Sequence, residues 1–403
     1  MALAVLWLRV VLAAELASVG AKVLKTLSKR IDVFVQGYNY EDDDRLAQAM
    51  RLGIVVVPEA YVRGCLAAGC VLDWRRFALV GALDGSMDDN AVAGYFGLDN
   101  QALMAHFPHA PRHVREDEEL PQHVCEFEVM DRVAPQPGTK DVFAIMPIVT
   151  RKPGTGSFAQ SWGKATFAQL GGKVQMKRLV AFVKVFFGMQ VRIEPPAELD
   201  NSARSCKDGT VDLIMGKYAY PLRVRKVDGR AAVHAMDAIA VLDENIPQDA
   251  FCLVGIFADD LYEADDDEDV SGILLGRATG NGSAVVSTAH FGGAATRAGF
   301  AHLLGTLAHE ASHMFGLDHC PFHLCIMNAM LPDESDPDSG SLGYCPYCLR
   351  KMDLAVASLD PSARYAALAS TYAALGLDRH ASWIDSIMDA CHVPQLPSAP
   401  SGD

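Results

Sequence analysis

The residues that could do chemistry are concentrated in one segment of the second half of the chain. His309 and His313 are four positions apart, so on a helix they project from one face and can bind one zinc ion. Glu310 lies beside them, where its carboxylate can accept a proton from a zinc-activated water. Gly316 tolerates the positive φ that ends a helix, and His319 then returns as a third ligand. The spacing therefore predicts a catalytic zinc site with one position open to water and Glu310 as general base.

Four cysteines follow the histidines directly and form two pairs. Cys320 and Cys325 have the spacing Cys-x4-Cys, and Cys345 and Cys348 have the spacing CxxC. Two pairs of thiolates are the usual ligand set of a closed, tetrahedral structural zinc site. Two alternatives stay open: a redox disulfide between Cys345 and Cys348, and replacement of one thiolate by His323. The sequence favours four cysteines around a second zinc ion.

Composition restricts the class of protein. The chain has 403 residues, 50% hydrophobic and 21% charged, which indicates a globular protein with two or three domains. Its formal net charge of -15 argues against broad binding to nucleic acid or to anionic membranes. Four of the ten cysteines lie within residues 320–348, and clustered reduced thiols favour an intracellular setting, in the cytoplasm or nucleus.

The apolar stretch from Met1 to Ala21 carries neither a membrane span nor a signal peptide. Arg9 and Glu15 interrupt it, so no transmembrane helix is expected. An ordinary amphipathic first helix is favoured. A mitochondrial presequence stays open as the alternative, because Glu15 is the only acidic residue before Asp32.

Residues 1–79 alternate helix and strand signals, which predicts a small α/β domain. Lys22–Leu27 and Ile31–Val35 predict short strands. Ile54–Val57 is an apolar, β-branched run that is typical of a buried parallel strand. Pro58–Ala68 suits a following helix, since proline is favoured in the first helical turn.

This order resembles a BRCT domain. The resemblance rests on the Gly20-Ala21-Lys22-Val23 turn, on Pro58-Glu59 after an apolar run, and on the pattern Tyr61-x3-Cys65. BRCT domains often bind phosphopeptides through a Ser/Thr-Gly after the first strand and a Lys in the second helix. Arg45 matches the Lys position, but the Ser/Thr-Gly is missing and Glu41–Asp44 would repel phosphate. The resemblance therefore implies the fold, and a protein partner for residues 1–79 stays open.

The remaining chain divides into three parts. Residues 80–140 are rich in turn-forming residues and predict a linker region. Residues 141–375 predict a second α/β domain, with strands at Asp141–Val149, Val191–Ile193, Ala250–Phe257 and Gly282–Phe291 and a helix at Met176–Met189. Residues 376–403 predict a C-terminal helix and a disordered tail. The acidic run Glu263–Asp269 predicts a solvated loop, because the spacing of a calcium-binding loop is absent.

The segment from His309 to Cys348 resembles the archaemetzincin signature HExxHxxGxxHCx4CxMN, with residues 328–344 as the spacer before CxxC. Met327 matches the methionine of the Met-turn in metzincin proteases. The resemblance extends over residues 141–375. It implies a metzincin-like α/β fold with a twisted mixed sheet, an active-site helix and a small lower subdomain pinned by the structural zinc. It also implies an edge strand near Ser283–Phe291 that could pair with an extended peptide.

These patterns together predict a zinc-dependent metallopeptidase. Its cofactors are two zinc ions, one catalytic and one structural, and no other cofactor-binding residue is expected. Its partner is a peptide or protein substrate, with no nucleic acid and no membrane. The alternative is a non-catalytic, zinc-stabilised scaffold or a phosphopeptide-binding adaptor that acts through residues 1–79.

Overall fold

The computed structural model describes the second half of the chain most fully. It covers residues 132–150, 172–200, 209–227, 230–263, 274–280, 282–290, 293–328, 341–356 and 361–390, with four short strands before residue 60 and a few isolated positions. The chain divides into two compact units: residues 1–105 with 118–131, and residues 106–117 with 132–403. No helix among the described residues is long and apolar enough to span a membrane.

Four parallel strands form a sheet in the first unit. They are β1 (Ala2–Val5), β2 (Lys22–Leu24), β3 (Val33–Gln36) and β4 (Val55–Pro58), in the order β2-β1-β3-β4. The three predicted strands of this region are confirmed by β2, β3 and β4. The prediction that the first residues are helical is wrong at Ala2–Val5, because this segment pairs with strands on both sides. Tyr61, Cys65 and Arg45 lie outside the described residues, so the BRCT resemblance stays a prediction.

A ten-stranded mixed sheet forms the frame of the second unit. Its strands are β5 (Val142–Thr150), β6 (Gln190–Ile193), β7 (Ala197–Asp200), β8 (Thr210–Met215), β9 (Tyr218–Val227), β10 (Arg230–His234), β11 (Ala250–Phe257), β12 (Asp260–Tyr262), β13 (Gly276–Ala278) and β14 (Ser283–Ser287). Their order is β12-β10-β9-β8-β7-β5-β11-β14-β13, and β6 pairs with β5. The neighbours β5, β11 and β14 are parallel, whereas β7 to β10 form an antiparallel meander.

Helices cover both faces of this sheet. Those within the described residues are α1 (Gly172–Phe187), α2 (Ala235–Glu244), α3 (Arg297–Met314), α4 (Pro346–Ala355), α5 (Pro361–Leu375) and α6 (Asp378–Ala390). α2 packs on one face, where Leu242 joins Ala144 and Val285 in a buried core. Because β5 and β11 are covered on both sides, nearly every residue in them is buried, as expected for parallel strands.

Aromatic side chains fill the opposite face, between the sheet, α1 and the end of α3. The ring of Phe187 lies 5.2 Å from that of Phe143 and 5.4 Å from that of Phe315. Phe251 of β11 packs against the same Phe315 ring at 4.7 Å. These contacts fix the C-terminal end of α3 against the centre of the sheet, since stacked aromatic rings bury large areas in defined geometries.

The edge of the sheet differs from the expectation. An edge strand was predicted near Ser283–Phe291, but β14 is covered on its outer side by β13, which pairs with it antiparallel. The prediction is wrong because residues 276–278 add one more strand. β13 is therefore the edge strand at this end of the described sheet, and Gly276 and Arg277 lie on it.

The strongly apolar elements are confirmed. β5 and β11 match the strands predicted at Asp141–Val149 and Ala250–Phe257, and α1 starts four residues before the predicted Met176. α6 lies where the C-terminal helix was expected. The boundaries at residues 79, 140 and 375 stay predictions.

We expect Gly255→Ala to destabilise the second unit. A Cβ atom at Gly255 would lie 2.8 Å from Leu242 Cδ1 and 2.9 Å from Ile148 Cδ1, in a core without room for it. Overpacking of this kind lowers the free energy of unfolding by about 1–3 kcal/mol. Gly280→Ala is the matched control, because no atom lies within 4 Å of the added methyl group. Equal denaturation midpoints for the two variants would contradict the packing described.

Candidate metal centres

The helix α3 carries two of the three predicted histidine ligands. It begins after Thr296, whose side-chain oxygen accepts a 2.9 Å hydrogen bond from the Gly299 N–H, a typical N-cap. It ends at Met314, and Gly316 has a φ of 90°, so the chain turns back. The predicted role of Gly316 is confirmed. The turn brings His319 back to the face of the helix that carries His309 and His313.

The three histidines converge on one point. One ring nitrogen from each lies within 4.8 Å of the others. The Nε2 atoms of His309 and His313 are 3.2 Å apart, and the His319 ring centre lies 5.3 Å from that of His309 and 5.0 Å from that of His313. Three neutral imidazoles at this spacing suit a metal such as zinc, which accepts three protein ligands and keeps one position open.

Hydrogen bonds to backbone carbonyl groups set the tautomers of two ligands. His309 Nδ1 lies 2.7 Å from the Ile326 oxygen, and His313 Nδ1 lies 2.7 Å from the Leu317 oxygen. Because a carbonyl oxygen only accepts, each Nδ1 carries the proton and each Nε2 presents its lone pair to the shared point.

The charge state of His313 also suits metal binding. Burial lowers the pKa of His313 to about 4, since desolvation disfavours the imidazolium, and His319 adds repulsion. The side chain is therefore neutral at physiological pH, as a metal ligand must be.

Glu310 occupies a closed position against the edge strand. It is only 8% exposed. A Cβ atom added at Gly276 would lie 2.6 Å from Glu310 Cγ and 2.9 Å from its Oε1, so β13 passes directly over the carboxylate. Burial raises the pKa of Glu310 to about 8; Arg277 opposes this shift and Glu263 adds to it. Arg277 also binds Glu263 at 3.0 Å, and the rest of the acidic run lies outside the described residues.

The four cysteines form a second cluster. All are buried free thiols whose Sγ atoms lie within 4.8 Å of one another. The Sγ atoms of Cys320 and Cys345 are 3.6 Å apart, and the backbone N–H of Cys345 donates to Cys325 Sγ at 3.2 Å. His323 is turned to another partner, with its Nδ1 2.7 Å from the Phe107 oxygen. The structure thus brings together the two cysteine pairs, as free thiols rather than as a disulfide.

The thiols of this cluster differ in acidity. The pKa of Cys320 lies well below its usual value, chiefly because the Cys325 thiol and the other two thiols donate hydrogen bonds to it. The pKa of Cys345 is raised chiefly by burial, and that of Cys348 chiefly by its hydrogen bonds to Cys320 and Cys325. Four adjacent negative charges in a buried site require a cation, so the donor set fits Zn²⁺.

A closed loop connects the two clusters. The Cys320 N–H donates to the Met327 oxygen at 2.8 Å, and Asn328 Oδ1 accepts from the Cys325 N–H at 2.8 Å. Ile326, which binds His309, lies inside this loop. Met327 is fully buried beside it, and its role as the Met-turn residue stays a prediction.

A second connection runs through Tyr344, the residue before Cys345. Ser312 of α3 donates to the Ala308 oxygen, so Tyr344 O–H donates to Ser312 Oγ, at 2.5 Å. The sequence gives no signal for this bond or for the contact at Gly276. Both contacts form between residues that are far apart in the sequence, so a single glycine or tyrosine does not predict its partner.

The fold and the two clusters define a mixed α/β protein with a three-histidine group and a four-cysteine group, each of which could hold a metal ion such as zinc. No family model matches the chain. It is similar to archaemetzincin-2 of Macaca fascicularis and of Homo sapiens, each 26% identical over 232 residues. This match covers 49% of the chain, and the chain spans only 59% of the length of these relatives. Archaemetzincin of Pyrococcus furiosus is 44% identical over 48 residues, which is 11% of this chain and 23% of that protein. The matches support the archaemetzincin resemblance.

The solved structures are more distant in sequence, with identities below 20%. Archaemetzincin of Methanopyrus kandleri has a TM-score of 0.33 and 17% identity, and covers 54% of this chain and 96% of its own. A zinc-dependent peptidase of Methanocorpusculum labreanum has a TM-score of 0.31 and 18% identity, and covers 52% of this chain and 100% of its own. TM-scores this low carry no argument about the fold.

We expect Tyr344→Phe to lower the free energy of unfolding by about 1 kcal/mol, since a buried hydrogen bond to Ser312 is lost without a change in ring packing. Tyr218→Phe is the control, because this tyrosine is 58% exposed. Urea denaturation of both variants measures the difference. A Tyr344→Phe variant as stable as the control would show that the bond contributes nothing.

Proposed function

We propose that this chain is a zinc-dependent metallopeptidase of the archaemetzincin type. The observation that carries the proposal is the convergence of His309, His313 and His319 beside a buried Glu310. Three neutral nitrogen ligands and one carboxylate that does not ligate are the parts that hydrolysis by a zinc-activated water needs. The similarity to proteins named archaemetzincin supports the same function.

The residues divide the chemistry among them. The three histidines would hold a catalytic zinc, and Cys320, Cys325, Cys345 and Cys348 would hold a structural zinc. The catalytic zinc, when bound, lowers the pKa of a water ligand and polarises the scissile carbonyl. Glu310 takes the proton of the attacking water and delivers it to the leaving amine. Burial raises the pKa of this carboxyl group, so its ionised form is a stronger base toward the water proton.

The edge strand β13 offers a place for the substrate backbone. An extended peptide can add a strand to an exposed sheet edge through main-chain hydrogen bonds. A peptide paired with β13 would run close to Glu310, because Gly276 contacts this side chain. The half-exposed Arg277, next on the strand, would then lie at the substrate.

The two alternatives have less support. A zinc-stabilised scaffold requires neither the open histidine cluster nor a carboxylate held against it. A phosphopeptide adaptor depends on residues before position 80, and the residues that would bind phosphate lie outside the described part of the chain.

We expect Glu310→Gln to abolish peptide hydrolysis while the bound zinc is retained. Loss of a general base costs about 100- to 10,000-fold in rate. Hydrolysis of a quenched fluorescent peptide library, with zinc content measured on the same samples, checks this. Glu244→Gln, an exposed carboxylate at the end of α2, is the control and should keep full activity. Unchanged hydrolysis by Glu310→Gln would refute the proposed role.

We expect two zinc ions per chain, measured by elemental analysis of the purified protein. Combined replacement of His309 and His313 by alanine should remove one zinc and leave the cysteine site loaded. Combined replacement of Cys345 and Cys348 by serine should remove the other, because two thiolates cannot complete a tetrahedral site. A different result would contradict the proposal of a catalytic zinc. The wild-type chain would then bind a single zinc, and this zinc would still be present after replacement of the two histidines, so only the structural site would remain.

A further inference from the structure

A buried lysine accompanies the four-cysteine cluster. Lys351 belongs to α4 and is only 1% exposed, which is rare for a lysine. It follows Cys348 by three positions in the same helix, and residues three apart lie on one face. The ammonium group is therefore carried on the face of α4 that holds Cys348, in the interior of the protein.

The cluster needs positive charge beyond that of its metal ion. Four thiolates around one Zn²⁺ leave about two negative charges uncompensated. All four cysteines are buried, so water screens little of this charge. Buried charges are tolerated only when opposite charges or hydrogen bonds accompany them.

A second buried cation lies nearby. Arg364 of α5 is 4% exposed, and its guanidinium stacks 5.1 Å from the ring of Tyr344, the residue before Cys345. Its Nε donates to the Phe186 oxygen, whereas Nη1 and Nη2 have no hydrogen-bond partner among the described residues. Among the described residues, no carboxylate neutralises the positive charge of this guanidinium, so the charge can act on neighbouring groups.

We propose that Lys351 is the counter-charge of the four-cysteine zinc site, a positioning residue that stabilises the zinc-bound thiolates, with Arg364 as a second contributor across the Tyr344 ring. The inference rests on the proposed structural zinc and goes beyond its ligands.

The first test measures the protection of the thiols in the zinc-loaded, full-length chain. Lys351→Met keeps a long side chain and removes the charge. We expect iodoacetamide to alkylate the four cysteines of this variant at least about 10-fold faster than those of the wild type. The reason is that loss of a group that supports metal ligands typically changes metal affinity by 10- to 100-fold. Mass spectrometry of the peptides that carry the cysteines measures the alkylation rates. Lys351→Arg should restore slow alkylation. Arg350→Met removes a charge from the neighbouring position, where Arg350 binds Asp353, and should leave the rate unchanged.

Alkylation of Lys351→Met at the wild-type rate would overturn the proposal. A failure of the structural zinc itself would look different: wild-type thiols would then be alkylated equally fast with and without a chelator. The peptidase proposal is tested separately by Glu310→Gln, so the two can fail independently.

The second test distinguishes charge compensation from packing. With zinc bound, we expect Lys351→Met to lower the thermal unfolding midpoint. In the zinc-stripped chain the zinc tetrathiolate is absent, so the same change should leave the midpoint equal or raise it. A lower midpoint in both forms would show that Lys351 serves packing or another anion, and would overturn the proposal. If the stripped chain does not fold, the alkylation rates decide.

Discussion

The hydrogen bond between His309 Nδ1 and the Ile326 oxygen joins the histidine cluster and the cysteine cluster, and the geometry of the histidine cluster depends on it. It fixes the ring orientation and the tautomer of the first ligand. The acceptor is itself held on both sides. The Ile326 N–H donates to the Gly343 oxygen at 2.9 Å, and the next residue, Met327, accepts from the Cys320 N–H. The closed loop that starts at Cys320 therefore positions His309 of the histidine cluster through space, in addition to the covalent link between His319 and Cys320.

Glu310 depends on a different constraint, the absence of a side chain at Gly276. The edge strand can approach α3 closely only because no Cβ atom intervenes. That approach excludes water from the carboxylate and raises its pKa. The same short strand thus closes over Glu310 and is also the outermost strand at this end of the described sheet.

The sequence predicted the parts of this site that local spacing encodes. Because a helix has a fixed period, the four-residue spacing places His309 and His313 together. Because few residue types bind metals, the paired cysteines predict a thiolate cluster. The strongly apolar strands β5 and β11 were predictable for a similar reason.

Contacts between distant segments could not be predicted. Strand pairing defines three elements of the fold: the meander of β7 to β10, the edge strand β13 and the strand at Ala2–Val5. The local sequence pattern does not predict with which strand each of them pairs. The acceptor for His309 is a backbone oxygen, which every residue carries. Tyr344 is likewise an ordinary residue until the fold places it beside Ser312, and Lys351 is one until the fold buries it.

Three ionisable side chains near the two clusters are buried: Glu310, Lys351 and Arg364 are all less than 10% exposed. Burial of a charge costs free energy unless an opposite charge accompanies it. In the proposed sites, a zinc ion at the histidines would add positive charge beside Glu310, and a zinc tetrathiolate would add the negative charge that the proposed counter-charges Lys351 and Arg364 would face. Because the ligands converge only in the folded chain, each metal binds the native state in preference to the unfolded one. Metal binding at the proposed sites would therefore be thermodynamically coupled to the folding of this unit.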